Sequence, residues 1–316
     1  MRLNRTGMRV ITFIIVDSFF ITLIATASAA DFYYVATTGS DEGDGSADKP
    51  WRTIQHAVDN DSVSDGDTIN VHDGTYTENV EVGKSLTIRS DNGSAVTTVQ
   101  ADETVFAINA DYVNISGFTI TGATDDFRAG IGLEPTKKHC TISNNTISGN
   151  NFGISLYNSD YNNITKNIIA NNSDGIRLEG SRYNTITCNW IHHNNNGSYL
   201  AKTECPLGLS TNNTIERNNI IANGEYNETT GGWEWQFYND QTANVEALDN
   251  WWGTVDEVRI NASIFDKYDD ETRGIVNFSH RSGPAPCAPV PESAPILLFG
   301  LGLLALAGYV LRERRL

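Results

Sequence analysis

The chain has 316 residues, 39 acidic against 22 Lys and Arg, for a net charge of −17. Arg2, Arg5, Arg9, Arg312, Arg314 and Arg315 crowd the two ends, so the stretch between them is more acidic still. Such a surface repels nucleic-acid phosphates and anionic lipid, which excludes a direct binder of either. The four cysteines show no CxxC spacing, which argues against a structural zinc site.

From the start, three arginines, an apolar stretch from Val10 and small residues at 27–30 have the layout of a secretory signal peptide over 1–30. The folded domain is expected over 31–281. Its N-terminal cap, 31–66, contains a strand at 32–36, an acidic Gly-rich loop and a helix over 53–59. In that helix Ile54, Ala57 and Val58 share one face. The loop carboxylates Asp41, Asp44 and Asp48 are candidate calcium ligands. Period-two alternation then predicts strands at 68–71, 78–82, 85–89 and 104–108.

A repeat of 22 residues dominates the middle. Ile142, Ile164 and Ile186 recur at that step, as do Asn145, Asn167, Asn189 and Ile147, Ile169, Ile191. A period in this range signals a solenoid. Within each phrase the two isoleucines lie five positions apart and cannot both face inward on one unbroken strand. A bend at Asn144–Asn145 resolves this into two strands, and a third follows in the pattern G-I-x-L, as at 153–156 and 175–178. Three short strands per coil make the fold class all-β, a right-handed parallel β-helix. Stacked coils would bring Asn145, Asn167, Asn189, Asn218 and Asn250 into a structural ladder. About seven residues are inserted before the copy at 213–221, and Trp233 and Trp235 are assigned to the core in the next G-I-x-L slot. A helix over 255–265 and a strand over 274–279 complete the C-terminal cap, 250–281.

Cysteine pairing is not fixed by the sequence; spacing favours Cys188 with Cys205 over Cys188 with Cys140. Residues 282–293 fall in a proline-rich stretch, which predicts an extended stalk. Residues 294–316 begin with an apolar run of 18, about 27 Å of helix, long enough to cross a membrane with the arginines inside.

Two resemblances follow from these motifs. Val290-Pro291-Glu292-Ser293, the apolar span and the terminal arginines resemble a PEP-CTERM sorting signal, although Ser293 stands where the usual motif has proline. That implies processing by an exosortase- or archaeosortase-like enzyme and attachment at the cell surface. The opening TTGSDEGDGSADKPWRTIQHAV, the segment DGTYTENV, the NosD-like repeats and the closure NWWGT resemble the pectin-lyase-like superfamily. The resemblance implies the β-helix fold. It leaves activity open, because that fold hosts lyases, hydrolases, epimerases and non-catalytic surface proteins.

In catalytic members of that superfamily the site lies on the outer face of stacked strands. The outward positions here place Arg177 near Glu134, Glu179 and Glu234, the candidate constellation for chemistry on an acidic glycan, with Arg177 as base and the glutamates holding calcium. A solvated ion pair is the simpler reading. His192-His193 is the candidate for copper. The function favoured by the sequence is an exported, surface-attached, non-catalytic β-helix protein with a polysaccharide or envelope glycan as partner. The alternatives are a lyase, hydrolase or epimerase on acidic glycans, and a NosD-like copper-related periplasmic protein.

Overall fold

The computed structural model describes residues 30–202, 208–229 and 231–290. The chain winds as a parallel β-solenoid with its strands collected in three walls. The first wall runs over eight strands, from Phe32–Val35 to Thr214–Glu216. The second has seven, from Gly74–Thr77 to Asn219–Ile221, and the third eight, from Val80–Val82 to Ile264–Phe265. The repeat dictates this arrangement. Ile142 stacks on Ile164 and Ile186 in the first wall, and Ile147 on Ile169 and Ile191 in the second. In the third, Ile154 stacks on Ile176 and Leu156 on Leu178. All are at most 1% exposed, and burying each such side chain is worth about 1.5–3 kcal/mol.

The bend between the first and second walls places one residue per coil in the left-handed region: Asn144, Lys166, Cys188, Arg217 and Asp249, at φ of 53–60°. Only one of these is an asparagine, so the bend is not held by local tolerance for that conformation. The residue that follows it holds the bend. In the asparagine ladder, Oδ1 of Asn167 accepts from the backbone N–H of Asn145 at 3.0 Å and from its Nδ2 at 3.2 Å. Nδ2 of Asn167 donates to the carbonyls of Ile142 and Thr165 and to Asn189. The pattern continues through Asn218 to Asn250. Each amide thus satisfies turn groups that water cannot reach.

The N-terminal helix, Ile54–Asp59, covers the end of the lumen with Ile54, Ala57 and Val58. Its first free N–H groups are capped by Glu78, which accepts from Ile54 and Gln55 at 2.9 and 2.8 Å. Burial raises the Glu78 pKa above the ordinary carboxyl range. Phe32–Val35 is itself the first strand of the first wall, so the cap and the solenoid are continuous.

Three expectations are corrected. The C-terminal helix is only Glu257–Ala262, and Ile264–Phe265 adds a strand to the third wall. Cys188 is bonded to Cys287, which precludes the Cys188–Cys205 pairing; Cys205 itself lies outside the described residues. The proline-rich segment is folded back through residue 290 rather than extended: Ala285 and Ala288 are buried, and the Ala285 N–H donates to Asn219 Oδ1 at 2.7 Å. Prolines there limit the backbone to a few shapes, and the disulfide pins one of them on the wall. Cys140 is a buried free thiol, its pKa pushed up to about 11 by burial.

Among the described residues no helix is long and apolar enough to cross a membrane. The expected signal peptide (1–30, of which only Ala30 is described), the sorting motif from Pro291 and the apolar tail lie outside the described residues.

Candidate functional site

The outer face of the third wall brings together only part of the constellation expected from the sequence, Arg177 with Glu179. Arg177 lies between the rings of Phe152 and Tyr199, each 4.8 Å from the guanidinium carbon. It pairs with Asp174 at 3.0 Å and with Glu179 at 3.6 Å. Asp174, absent from the sequence-derived set, is 6% exposed and also accepts from Asn196 Nδ2 at 2.8 Å. A guanidinium enclosed by two rings and two carboxylates is a clamp. Glu134 makes no ion pair with it among the described residues; its carbonyl accepts from Ser159 at 2.7 Å. Below Arg177 the row continues as Tyr199, Tyr238 and Phe265, with centroids 5.2 and 4.1 Å apart. Tyr199 donates to Asp240 at 3.0 Å, and burial first, then this bond, hold its pKa far above the ordinary phenol value.

Glu234 is out of that row because the coil is interrupted. The slot next to Ser198 and Tyr199 is filled by Phe237 and Tyr238, so the core aromatic is Phe237, 0% exposed. Trp233 and Trp235 are only half-buried, which corrects their assignment to the core. Asn194 to Ser198 spans four positions, and the equivalent Asn223 to Phe237 spans fourteen, so ten residues are inserted. They form an antiparallel hairpin, Glu225–Asn227 with Gly232–Glu234. Parity read through the insertion as though it were regular strand, and therefore failed.

Strand alternation gives this hairpin two chemically different faces. Glu225 and Glu234 are cross-strand partners, as are Tyr226 and Trp233. The acidic pair lines a groove of about 410 Å³ with Asn195, Asn196 and Trp235, and Asn227 Nδ2 donates to Glu234 at 2.7 Å. The aromatic pair lies over a separate cavity with Gln236, Trp252 and Arg259.

The groove extends along the corner between the second and third walls. Asn195 is common to it and to a second depression of about 330 Å³, lined by Thr124, Asn151, Asn171, Ser173 and His193 among others. The corners there are short, three residues each at 149–151, 171–173 and 193–195. They are flanked on one side by the longer loop 122–128, which carries Phe127 at 81% exposure, and on the other by the hairpin. A floor of amides and hydroxyls between two raised insertions presents donors and acceptors in a row, the arrangement that a chain of hydroxylated rings requires. Beneath it lies a second ladder, Asn150, Asn172, Asn194 and Asn223, bonded as in the first. The 22-residue step marks Asn150, Asn172 and Asn194 in the sequence, with Asn223 29 residues further on, and it also marks His139, Tyr161 and Tyr183, which stack with Tyr112 on another, exposed corner.

The metal candidates do not converge. Asp41 accepts from the Arg52 and Thr53 N–H groups at 2.8 and 3.2 Å, and Asp44 from Ser46 N–H and Oγ. The Ser46 bonds lower the Asp44 pKa below the ordinary carboxyl value. Both carboxylates therefore serve the loop, and among the described residues no group of three or more His, Cys, Asp or Glu is placed to hold a metal. His192 and His193 face each other through Nδ1 at 2.7 Å, a distance at which they share one proton. Burial, then His193, lower the His192 pKa to about 4.

A three-walled parallel β-solenoid with a corner groove places this protein among the pectin-lyase-like β-helices. Residues 42–256 match the family described as NosD, periplasmic copper-binding protein, and the chain belongs to that family. Among the described residues the donor set does not fit a resident copper ion, since the two imidazoles are turned on each other and no third ligand joins them there. A cell surface glycoprotein of Methanothermus fervidus is 40% identical over 99 residues, 31% of this chain and 16% of that protein. YwoF of Bacillus subtilis, uncharacterized, is 28% identical over 38% of this chain and 29% of its own length. The matched segments thus span less than a third of either relative. Solved structures with a similar course include pectate lyase Pel9A, 15% identical, TM-score 0.46, covering 84% of this chain and 80% of that one. Pectin methylesterase of Aspergillus niger is 14% identical, TM-score 0.48, covering 84% and 90%.

Proposed function

We propose that this is an exported, surface-attached β-helix protein that binds a glycan chain in the corner groove between the second and third walls, without cleaving it. The observation that carries this reading is the groove itself: side-chain amides and hydroxyls on consecutive short corners, bounded by insertions and ending at Trp235, Glu225 and Glu234. Neutral sugars suit it better than uronates, because the charged groups at its hairpin end are the carboxylates Glu225 and Glu234. The family's periplasmic description and the cell surface relative support export. The signal peptide, the membrane-crossing tail and processing by an exosortase-like enzyme belong to this proposal as its means of reaching and holding the surface.

The test is a glycan array probed with the full chain, followed by titration of the best ligand. Binding of neutral oligosaccharides that falls at least tenfold in Asn195→Ala and Trp235→Ala supports the reading. Binding that neither substitution changes overturns it.

A second reading rests on the cross-strand register of Glu225 and Glu234, which sets two carboxylates on one face of the hairpin. In a glycoside hydrolase such a pair divides into an acid and a base or nucleophile. Reducing-end release from the bound glycan, abolished in both Glu225→Gln and Glu234→Gln, would replace the binding reading with this one.

A further inference from the structure

The opposite face of the hairpin covers a second site of different chemistry. Tyr226 and Trp233, centroids 5.4 Å apart, lie over a cavity of about 320 Å³ that reaches Trp252 and the C-terminal helix. That volume is at the small end of ligand sites. Gly231, Gly232 and Gly253 line it without side chains, which leaves the space to the aromatic walls. Three polar features distinguish it from a packing defect. Gln236 lines the cavity at 4% exposure; its Nε2 donates to the Trp252 carbonyl at 3.0 Å, while its Oε1 is buried with no donor. An unsatisfied buried acceptor costs about 1–3 kcal/mol unless something supplies a proton to it. Arg259 reaches the cavity across Gly231, with its guanidinium about where a side chain on that glycine would touch it. Its ion pair is to Asp256 through Nε at 3.5 Å, and no other acidic residue pairs with it among the described residues. Thr254 adds a hydroxyl at the rim.

We infer that this cavity binds a small ring-bearing carboxylate that also carries a hydrogen-bond donor. The ring lies against Trp233 and Tyr226, the carboxylate meets the fork of Arg259, and the donor reaches Gln236 Oε1. In a protein of net charge −17 an anionic ligand needs such a local cation, and this position supplies one beside aromatic walls. The site is independent of the groove: the groove uses the acidic face of the hairpin and suits neutral chains, the cavity the aromatic face.

Two sources fit this chemistry, a uronic acid and an aromatic acid. The test is calorimetric titration of the full chain with glucuronate and with 4-hydroxybenzoate, each beside its neutral counterpart, glucose and 4-hydroxybenzamide. Saturable binding of one acid, at least tenfold tighter than its neutral counterpart, is expected and identifies the source. Arg259→Gln should remove the preference for the acid, and Trp233→Ala should weaken binding at least tenfold. Tyr183→Ala, on another corner of the solenoid, should leave both unchanged and serves as the folded control. Binding of neither acid, equal binding of acid and neutral form, or a preference that survives Arg259→Gln would overturn the inference.

Discussion

The coils from Cys140 to His192 and the coil that follows Asn223 are built on one plan and treat their polar groups in opposite ways. In the regular coils each buried asparagine is bonded to the rung on either side and to the carbonyls of the bend. Among the described residues, the buried side-chain atoms without a partner are His192 Nε2, Ser198 Oγ, Asn219 Nδ2, Gln236 Oε1, Asn239 Oδ1, Arg273 Nε and Arg281 Nε. All of them lie at or beyond His192. Exact repetition lets one side-chain amide satisfy its neighbours. An insertion breaks the register, leaves donors and acceptors over, and opens the spaces in which a ligand can meet them. The regular part supplies stability and the floor of the groove, and the interrupted part supplies the hairpin that ends the groove and covers the cavity.

Breaking a ladder should produce the largest effect. Asn167→Ala strands the Asn145 turn N–H and the carbonyls of Ile142 and Thr165, so a loss of about 3–5 kcal/mol is expected from several unsatisfied groups at about 1–3 each. Chemical denaturation checks this, and a loss below about 1 kcal/mol would show that the ladder is ornamental. Removing the Cys188–Cys287 bond, which closes a separation of 99 residues, should cost about 2–4 kcal/mol. A denaturation midpoint indifferent to reductant would contradict that. Arg177→Ala should cost about 1–3 kcal/mol, because Asp174 is left buried without its cation. Glycan affinity should be unchanged in that variant, which separates the clamp on the third wall from the groove.

A further effect appears only on acidification. His192 has its pKa lowered to about 4 from an ordinary 6.5, so the unfolded chain takes up a proton that the folded one refuses. Its contribution to stability is complete above pH 6.5 and is lost progressively as pH falls toward 4. His192→Phe should flatten the stability–pH curve in that window; an unchanged slope would show that the imidazole is solvated.

Much of this plan was legible in the sequence because a solenoid repeats its physics. Ile142 and Asn145 with their copies gave the lumen and one ladder, and the five-position gap between isoleucines required the bend. The second ladder at Asn150 and Asn172 carries the same step, whereas the resemblance to outer-face enzymes points to Arg177. Glu234, Trp233 and Trp235 were misplaced since alternation has no means of marking where a hairpin leaves the wall. The Cys188–Cys287 bond was hidden for a related reason: it depends on a nonrepeating segment folding back over 99 residues, and spacing favours near neighbours.

The groove is the central claim, and hydrogen exchange of the full chain with and without a bound oligosaccharide tests it most directly. Slower exchange at 149–151, 171–173, 193–196 and in the hairpin from Gly224, with the outer strands around Arg177 and Tyr199 unaffected, is the predicted result. Protection centred on Arg177 and Tyr199, with the corner unchanged, would contradict it.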